Sequence, residues 1–131
     1  MLVKNYPFTK TRPDDIARPY LPITILNQKK NKEINVYALI DTGADECALP
    51  ASLAFLLGYN LKSGYKKKIN TGNGLTVAYS HSIRIKVFDF ITDEVLIDFM
   101  PNLHIPLLGV KSFLSNFVLT INYKDNNFTL L

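Results

Sequence analysis

Short runs of β-branched and aromatic residues, set close together along most of the chain, constrain its fold more than any other feature. They occupy residues 21–26, 34–40, 64–70, 75–80, 83–90, 95–100 and 117–123, with a last run at 128–131 after the turn Asp125-Asn126-Asn127. Residues of this kind suit a pleated, half-buried surface, and runs this short separated by turn residues read as strands. Two runs alternate with a period of two. Ile83, Ile85 and Val87 share one face against Arg84 and Lys86, and Phe117, Leu119, Ile121 and Tyr123 share another. Helical signal is sparse. Pro50 can open a short helix over residues 51–57, closed by Gly58, and residues 111–116 allow a second of one to two turns. Gly72 and Gly74 punctuate two strand-like runs and predict a hairpin with its tip at Thr71-Gly72-Asn73-Gly74.

The chain has 131 residues, enough for one mostly β domain and too few for two of ordinary size. Residues 1–19, with Pro7, Pro13 and Pro19, read as an extended N-terminal arm, and residues 20–131 as the domain proper. One cysteine, Cys47, excludes a disulfide framework within the chain. No apolar run is long enough to span a bilayer. Residues 1–10 lack the apolar stretch of a secretory signal, so the expected location is cytoplasmic. The formal charge is +4, and only three of the fifteen cations are Arg. The lysine runs at 29–32 and 66–68 read as solvated positions. Nucleic acid is not an expected partner, because Arg forks and stacking aromatics are missing from any basic face.

The segment Ala38-Leu39-Ile40-Asp41-Thr42-Gly43-Ala44-Asp45 carries the most chemistry. An apolar strand runs directly into an acid, a hydroxyl and a glycine. As plain structure this is a strand ending in a turn, since Asp and Gly are common turn residues. A carboxylate at the end of a buried strand is costly unless donors hold it. Thr42 can supply a hydroxyl, and Gly43 lets backbone N–H groups come close.

With these residues in place, the chain resembles the retropepsin-like aspartic proteases. The residues 39–45 look like that family's catalytic loop, and the hairpin at Thr71-Gly72-Asn73-Gly74 looks like its flap. Ile105-Pro106-Leu107-Leu108-Gly109, followed by Ser112-Phe113-Leu114, resembles its late hydrophobic-hydrophobic-Gly element and the short helix after it. The resemblance runs from about residue 21 to the end and implies an all-β, single-domain fold with a flap hairpin and one short C-terminal helix. It implies an aspartic endopeptidase in which water is activated between two carboxylates. Only Asp41 stands in an Asp-Thr-Gly, so the resemblance implies a homodimer with one Asp41 from each chain. Asp41, Thr42 and Gly43 are then the catalytic residues. Ala44, Asp45, Thr71, Gly72, Asn73 and Gly74 are the residues expected to meet a polypeptide substrate. Neither a metal nor an organic cofactor is implied.

Where viral members commonly carry Arg after the late Gly, this chain has Val110 and then Lys111, which brings it closer to cellular members. Asp45 thereby loses the family's usual partner, and Arg12, Arg18 or Lys111 is the expected substitute. The same departure motivates an alternative from another class, a dimeric peptide-binding module of this fold that cuts poorly. Other candidates have plainer readings. Cys47 reads as a small buried packing residue, with oxidation close to the catalytic loop as the sharper reading. His81 and His104 have no ligand spacing around them that fits a metal. Asp89, Asp93, Glu94 and Asp98 read as solvent-side charges around a strand turn. The tyrosines read as cross-strand packing, and Ser52 and Ser112 have no nearby His to make either a nucleophile.

Overall fold

The computed structural model describes residues 2–131; Met1 and the side chain of Thr71 lie outside the described residues. In chain order the strands are β1 (Val3–Pro7), β2 (Tyr20–Asn27), β3 (Glu33–Ile40), β4 (Ala48–Pro50), β5 (Tyr65–Thr71), β6 (Gly74–Val87), β7 (Phe90–Ile91), β8 (Val95–Met100), β9 (Leu107–Leu108), β10 (Leu119–Asn122) and β11 (Asn127–Leu130). One short α-helix, α1 (Leu53–Leu56), follows β4, and single 3-10 turns cover Leu61–Ser63 and Leu114–Asn116. The predominance of strand agrees with the alternation in the sequence. The helix begins two residues later than expected because Pro50 completes β4, while Gly58, at φ +81°, ends it as expected. The short C-terminal helix is present as the 3-10 turn Leu114–Asn116.

Most strands form one eight-stranded sheet in the order β2-β3-β9-β4-β8-β6-β5, with β7 paired to β6 and β2 also closing onto β6. The run expected at 75–80 and residues 83–87 of the run expected at 83–90 are one continuous strand, β6, while Phe88 and Asp89 turn and Phe90 begins β7. The polar stretch Ser80-His81-Ser82 resembles a break, yet β8 pairs straight through it, Ser80 to Asp98, His81 to Ile97 and Ser82 to Leu96. His81 is buried, stacked on Tyr59 at 4.8 Å, and its Nε2 hydrogen-bonds the Leu61 carbonyl at 2.9 Å. A buried polar group is tolerated when so satisfied.

A second, three-stranded sheet runs β1-β11-β10. Residues 3–9 and 17–19 run along the domain, while residues 10–14 form an exposed turn. Val3 and Phe8 lie in the core with Phe128 and Leu130, and Asn5, at φ +49°, marks an irregularity where the β1–β11 register shifts. Thr9 and Arg18 then pair across a loop, and the Pro19 carbonyl accepts the Ile40 N–H at 3.0 Å. The core is filled by Phe99, Phe113, Leu21, Ile25, Ile83 and Ile85, all essentially inaccessible.

The two residues of β9 fix the most consequential junction. Leu107 and Leu108 run parallel to Leu39 and Ile40 on one side, and Leu107 pairs antiparallel with Ala48 on the other. Immediately afterwards Gly109 passes so close to the preceding loop that a β-carbon would stand 2.3 Å from the Glu46 carbonyl oxygen and 2.8 Å from that of Ala44. Both obstacles are backbone, so they cannot swing aside. Gly109→Ala is therefore expected to lower stability by about 1–3 kcal/mol, the range for overpacking. Gly72→Ala, where nothing lies within 4 Å, should stay within about 0.5 kcal/mol. Urea unfolding of the two variants checks the contrast.

Candidate active site

Asp41 is delivered by the end of β3. Its N–H donates to the Leu108 carbonyl at 3.0 Å, and its carbonyl accepts the Ala44 N–H at 3.2 Å, closing a tight turn. Within that turn the Gly43 N–H donates to Asp41 Oδ1 at 3.0 Å and points the half-buried carboxylate. The Val110 N–H donates to the Ala44 carbonyl at 2.9 Å and the Lys111 N–H to the Asp45 carbonyl at 2.8 Å. The loop is thus pinned to the chain on either side of Gly109. Thr42 is exposed, and its hydroxyl has no partner among the described residues.

A cleft of about 720 Å³ opens at this loop. Asp41, Gly43, Ala44, Asp45 and Glu46 form one side, and residues 67–70 with Gly72 form the opposing side. That second side is the β5–β6 hairpin, which pairs from Tyr65 with Ser80 up to Thr71 with Gly74, leaving Gly72-Asn73 as the tip. Gly74 has φ +104°, a conformation that favours glycine. Of the residues expected to meet substrate, Ala44, Asp45 and Gly72 line the cleft with Asp41. Asn73 borders an adjoining groove with Leu75 and Met100. Gly74 sits at the first rung of the hairpin without lining the cleft.

The charges in this cleft differ from expectation in two ways. Asp98 is not a solvent-side charge: it is 4% exposed, accepts from Ser80 Oγ at 3.0 Å, and forms an ion pair with Lys67 Nζ at 2.9 Å. Lys67, in the middle of the run at 66–68, is correspondingly not a free solvated cation. Asp98 faces the cleft because Ile97 and Phe99 on either side of it point into the core. None of the three cations expected to serve Asp45 pairs with it. Lys111 Nζ lies 3.5 Å from Glu46, Arg12 3.8 Å from Asp14 and Arg18 3.0 Å from Asp15. Hydrogen bonds from Arg18 and from the Ile16 N–H hold the Asp15 carboxyl below its ordinary pKa. Glu46, Ile69 and Met100 line the cleft and were not singled out from the sequence, whereas Lys67, Asp98 and Leu107 were read there in other roles. The alternation of 95–100 could have exposed Asp98 and Met100 as a shared face.

Cys47 lies directly behind the loop. Its Sγ accepts the Gly109 N–H at 3.3 Å, and its own N–H donates to Ser112 Oγ at 3.3 Å. It is buried, as the packing reading expects.

The sheet order and the loop-plus-hairpin cleft define a retropepsin-like fold. A protein described as a retropepsin-like aspartic protease from Rickettsia conorii shares it with a TM-score of 0.70 at 23% identity, over 97% of this chain and 99% of that one. The retroviral protease-like domain of Ddi1 from Leishmania major matches with a TM-score of 0.58 at 16% identity, over 89% and 96% of the two chains. EIAV protease, in complex with the inhibitor HBY-793, matches with a TM-score of 0.54 at 20% identity, over 77% and 88%. The fuller coverage of the bacterial protein is consistent with the leaning toward cellular members. No curated protein sequence matches the chain. Residues 26–116 match the family model described as "gag-polyprotein putative aspartyl protease", and the chain belongs to that family. Among the described residues no helix is long and apolar enough to cross a membrane.

Burial pushes the Cys47 thiol pKa up, against the opposing pull of the Gly109 N–H and the Ser112 hydroxyl. The folded thiol therefore stays neutral at a pH where the unfolded chain already forms thiolate. Near pH ~8.5, the ordinary thiol value, native protein should resist a thiol-specific reagent that labels urea-unfolded protein promptly. Equal labelling of both would show that the loop opens readily.

Proposed function

We propose that this protein is an aspartic endopeptidase that works as a homodimer, each copy supplying one Asp41 to a shared site. The observation that carries the reading is the placement of Asp41. Its carboxylate is held by the Gly43 N–H at one side of a cleft of about 720 Å³, and a hairpin faces it from the other side. The chain has one Asp-Thr-Gly, and two of the other cleft acids, Asp98 and Glu46, are already ion-paired.

In the dimer, two Asp41 carboxyls about 3 Å apart cannot both ionise, so they share one proton. The ionised group takes a proton from a water held between them, and the oxygen attacks the peptide carbonyl carbon. The protonated group donates its proton to the carbonyl oxygen as that oxygen gains charge. Collapse of the tetrahedral intermediate breaks the C–N bond, and the leaving nitrogen takes up a proton from the pair. Thr42, exposed and with no hydroxyl partner among the described residues, is suited to reach the second loop and hold the two acids in register. Gly43 and Asp45 meet the peptide backbone, while the hairpin at residues 71–74 closes over it and excludes water.

Asp41→Asn should lower cleavage of a fluorogenic peptide by at least about 10²–10⁴-fold, the usual weight of a general acid–base group, with dimer and fold retained. Undiminished cleavage in that variant would sink the reading. Dilution gives an independent check: activity per mole of wild-type chain should fall as the dimer dissociates. Activity per mole that is constant down to a concentration where light scattering finds only monomer would exclude a shared site. A wild-type protein that binds extended peptides and leaves them intact would instead favour the peptide-binding module.

A further inference from the structure

One wall of the cleft is a sheet surface on which a lysine and a buried carboxylate meet. Across the ladder β5-β6-β8, Lys67 stands opposite Ala78 and Ser80 stands opposite Asp98. On its other side Asp98 stands beside Ala48 of β4. Residues directly opposite each other in a sheet share a face, so Lys67, Ala78, Ser80, Asp98 and Ala48 belong to one surface. Of these, Ala48, Lys67 and Asp98 line the cleft, and Lys67 reaches from the hairpin side to Asp98 Oδ1 at 2.9 Å.

The two partners are unequal. The Asp98 side chain is 6% exposed and held by Ser80, whereas that of Lys67 is 40% exposed and belongs to β5, at the sheet edge. The carboxylate is built in; the ammonium is tethered by a flexible stem on the hairpin that faces the cleft. A desolvated carboxylate needs a compensating cation, but nothing requires that cation to be Lys67.

We propose that Asp98 is the recognising group of a subsite for a basic side chain of the bound polypeptide, and that Lys67 fills this subsite as an internal stand-in until such a side chain replaces it. The proposal rests on the reading of the cleft as a peptide site. Charge decides which side chains can enter. A neutral side chain that displaces Lys67 leaves Asp98 buried without a counter-charge, and an acidic one adds repulsion. A basic side chain exchanges one cation for another. Arginine suits the exchange best, because its planar donors can engage a carboxylate whose orientation Ser80 already sets. Lys67 is already partly in water, so its release is mild. Of the other charges at this cleft, Glu46 is held by Lys111; Asp45 and Lys68 also line it, and Asp98→Asn separates the contribution of Asp98 from theirs.

The test is calorimetric titration of the full chain carrying Asp41→Asn, which should hold peptide without cutting it. The probes are an extended peptide with Arg at one position and the same peptide with citrulline, the neutral near-isostere, and the substitution is moved along the peptide position by position. At one position Arg should bind about tenfold or more tightly than citrulline. Adding Asp98→Asn should bring that ratio close to one, and adding Lys67→Met, which removes the stand-in, should raise it. A merely structural ion pair would weaken both peptides alike. Equal binding of the two peptides at every position, a preference that survives Asp98→Asn, or no peptide binding at all overturns the proposal. Should Asp98→Asn fail to fold, Lys67→Met decides, because an unchanged or smaller ratio in it also overturns the proposal. The readout is binding by an inactive variant. A wild type that fails to cleave therefore counts against the endopeptidase alone, and a flat Arg-to-citrulline ratio in a protein that cleaves counts against the subsite alone.

Discussion

The insertion of two residues, Leu107 and Leu108, between β3 and β4 is the contact on which the rest of the site depends. A strand this short contributes little pairing of its own. Its effect comes from position, since Leu107 pairs with both the segment entering the Asp41 loop and the segment leaving it. The loop between them is then closed by hydrogen bonds from Val110 and Lys111, and the sulfur of Cys47 takes the N–H of Gly109. Catalytic groups must be placed to within a fraction of an ångström, and a turn pinned at both ends from one neighbour meets that demand better than a free one. The cost falls on a single backbone position, where only a glycine passes.

The same economy shapes the electrostatics of the cleft. Four acids face it, and two are neutralised by lysines from other elements: Asp98 by the hairpin and Glu46 by the segment after Gly109. This leaves Asp41 and Asp45 as the cleft acids with no ion pair among the described residues. Each neutralised acid ties a separate piece of chain to the cleft wall, so these pairs position backbone as well as balance charge. Exposed pairs of this type contribute little to stability, but the Lys67–Asp98 pair has one partner almost fully out of water.

Much of this was readable before any coordinates. Alternation at 83–90 and 117–123 marked strands with a buried face, and the run from Ala38 to Asp45 identified both the acid and the strand that carries it. What escaped depended on partners distant in sequence. Ser80-His81-Ser82 has the composition of a loop and becomes strand because β8 satisfies it rung by rung. Asp98 belongs to a charged, turn-like stretch, and nothing local says that Ile97 and Phe99 will turn it inward beneath a hairpin lysine. β9 is too short to announce itself by periodicity. The substitute partner for Asp45 was sought among three cations, and each is drawn to an acid within its own segment or across the loop. A contact that needs a second copy leaves no trace in the contacts of one chain.

The pairing of β1 with β11 has a mechanical side. Val3 stands opposite Leu130, and the Leu2 N–H donates to the Leu130 carbonyl at 3.2 Å, so the two ends of the described chain emerge next to each other. Tension applied between them loads this ladder one rung at a time, in unzipping geometry, instead of shearing all rungs together. The first groups to leave the core under such a pull are Val3, Phe8, Phe128 and Leu130, far along the chain from β3, β9 and β4. The molecule therefore has a seam at its ends that can part while the strands around Asp41 are still clamped.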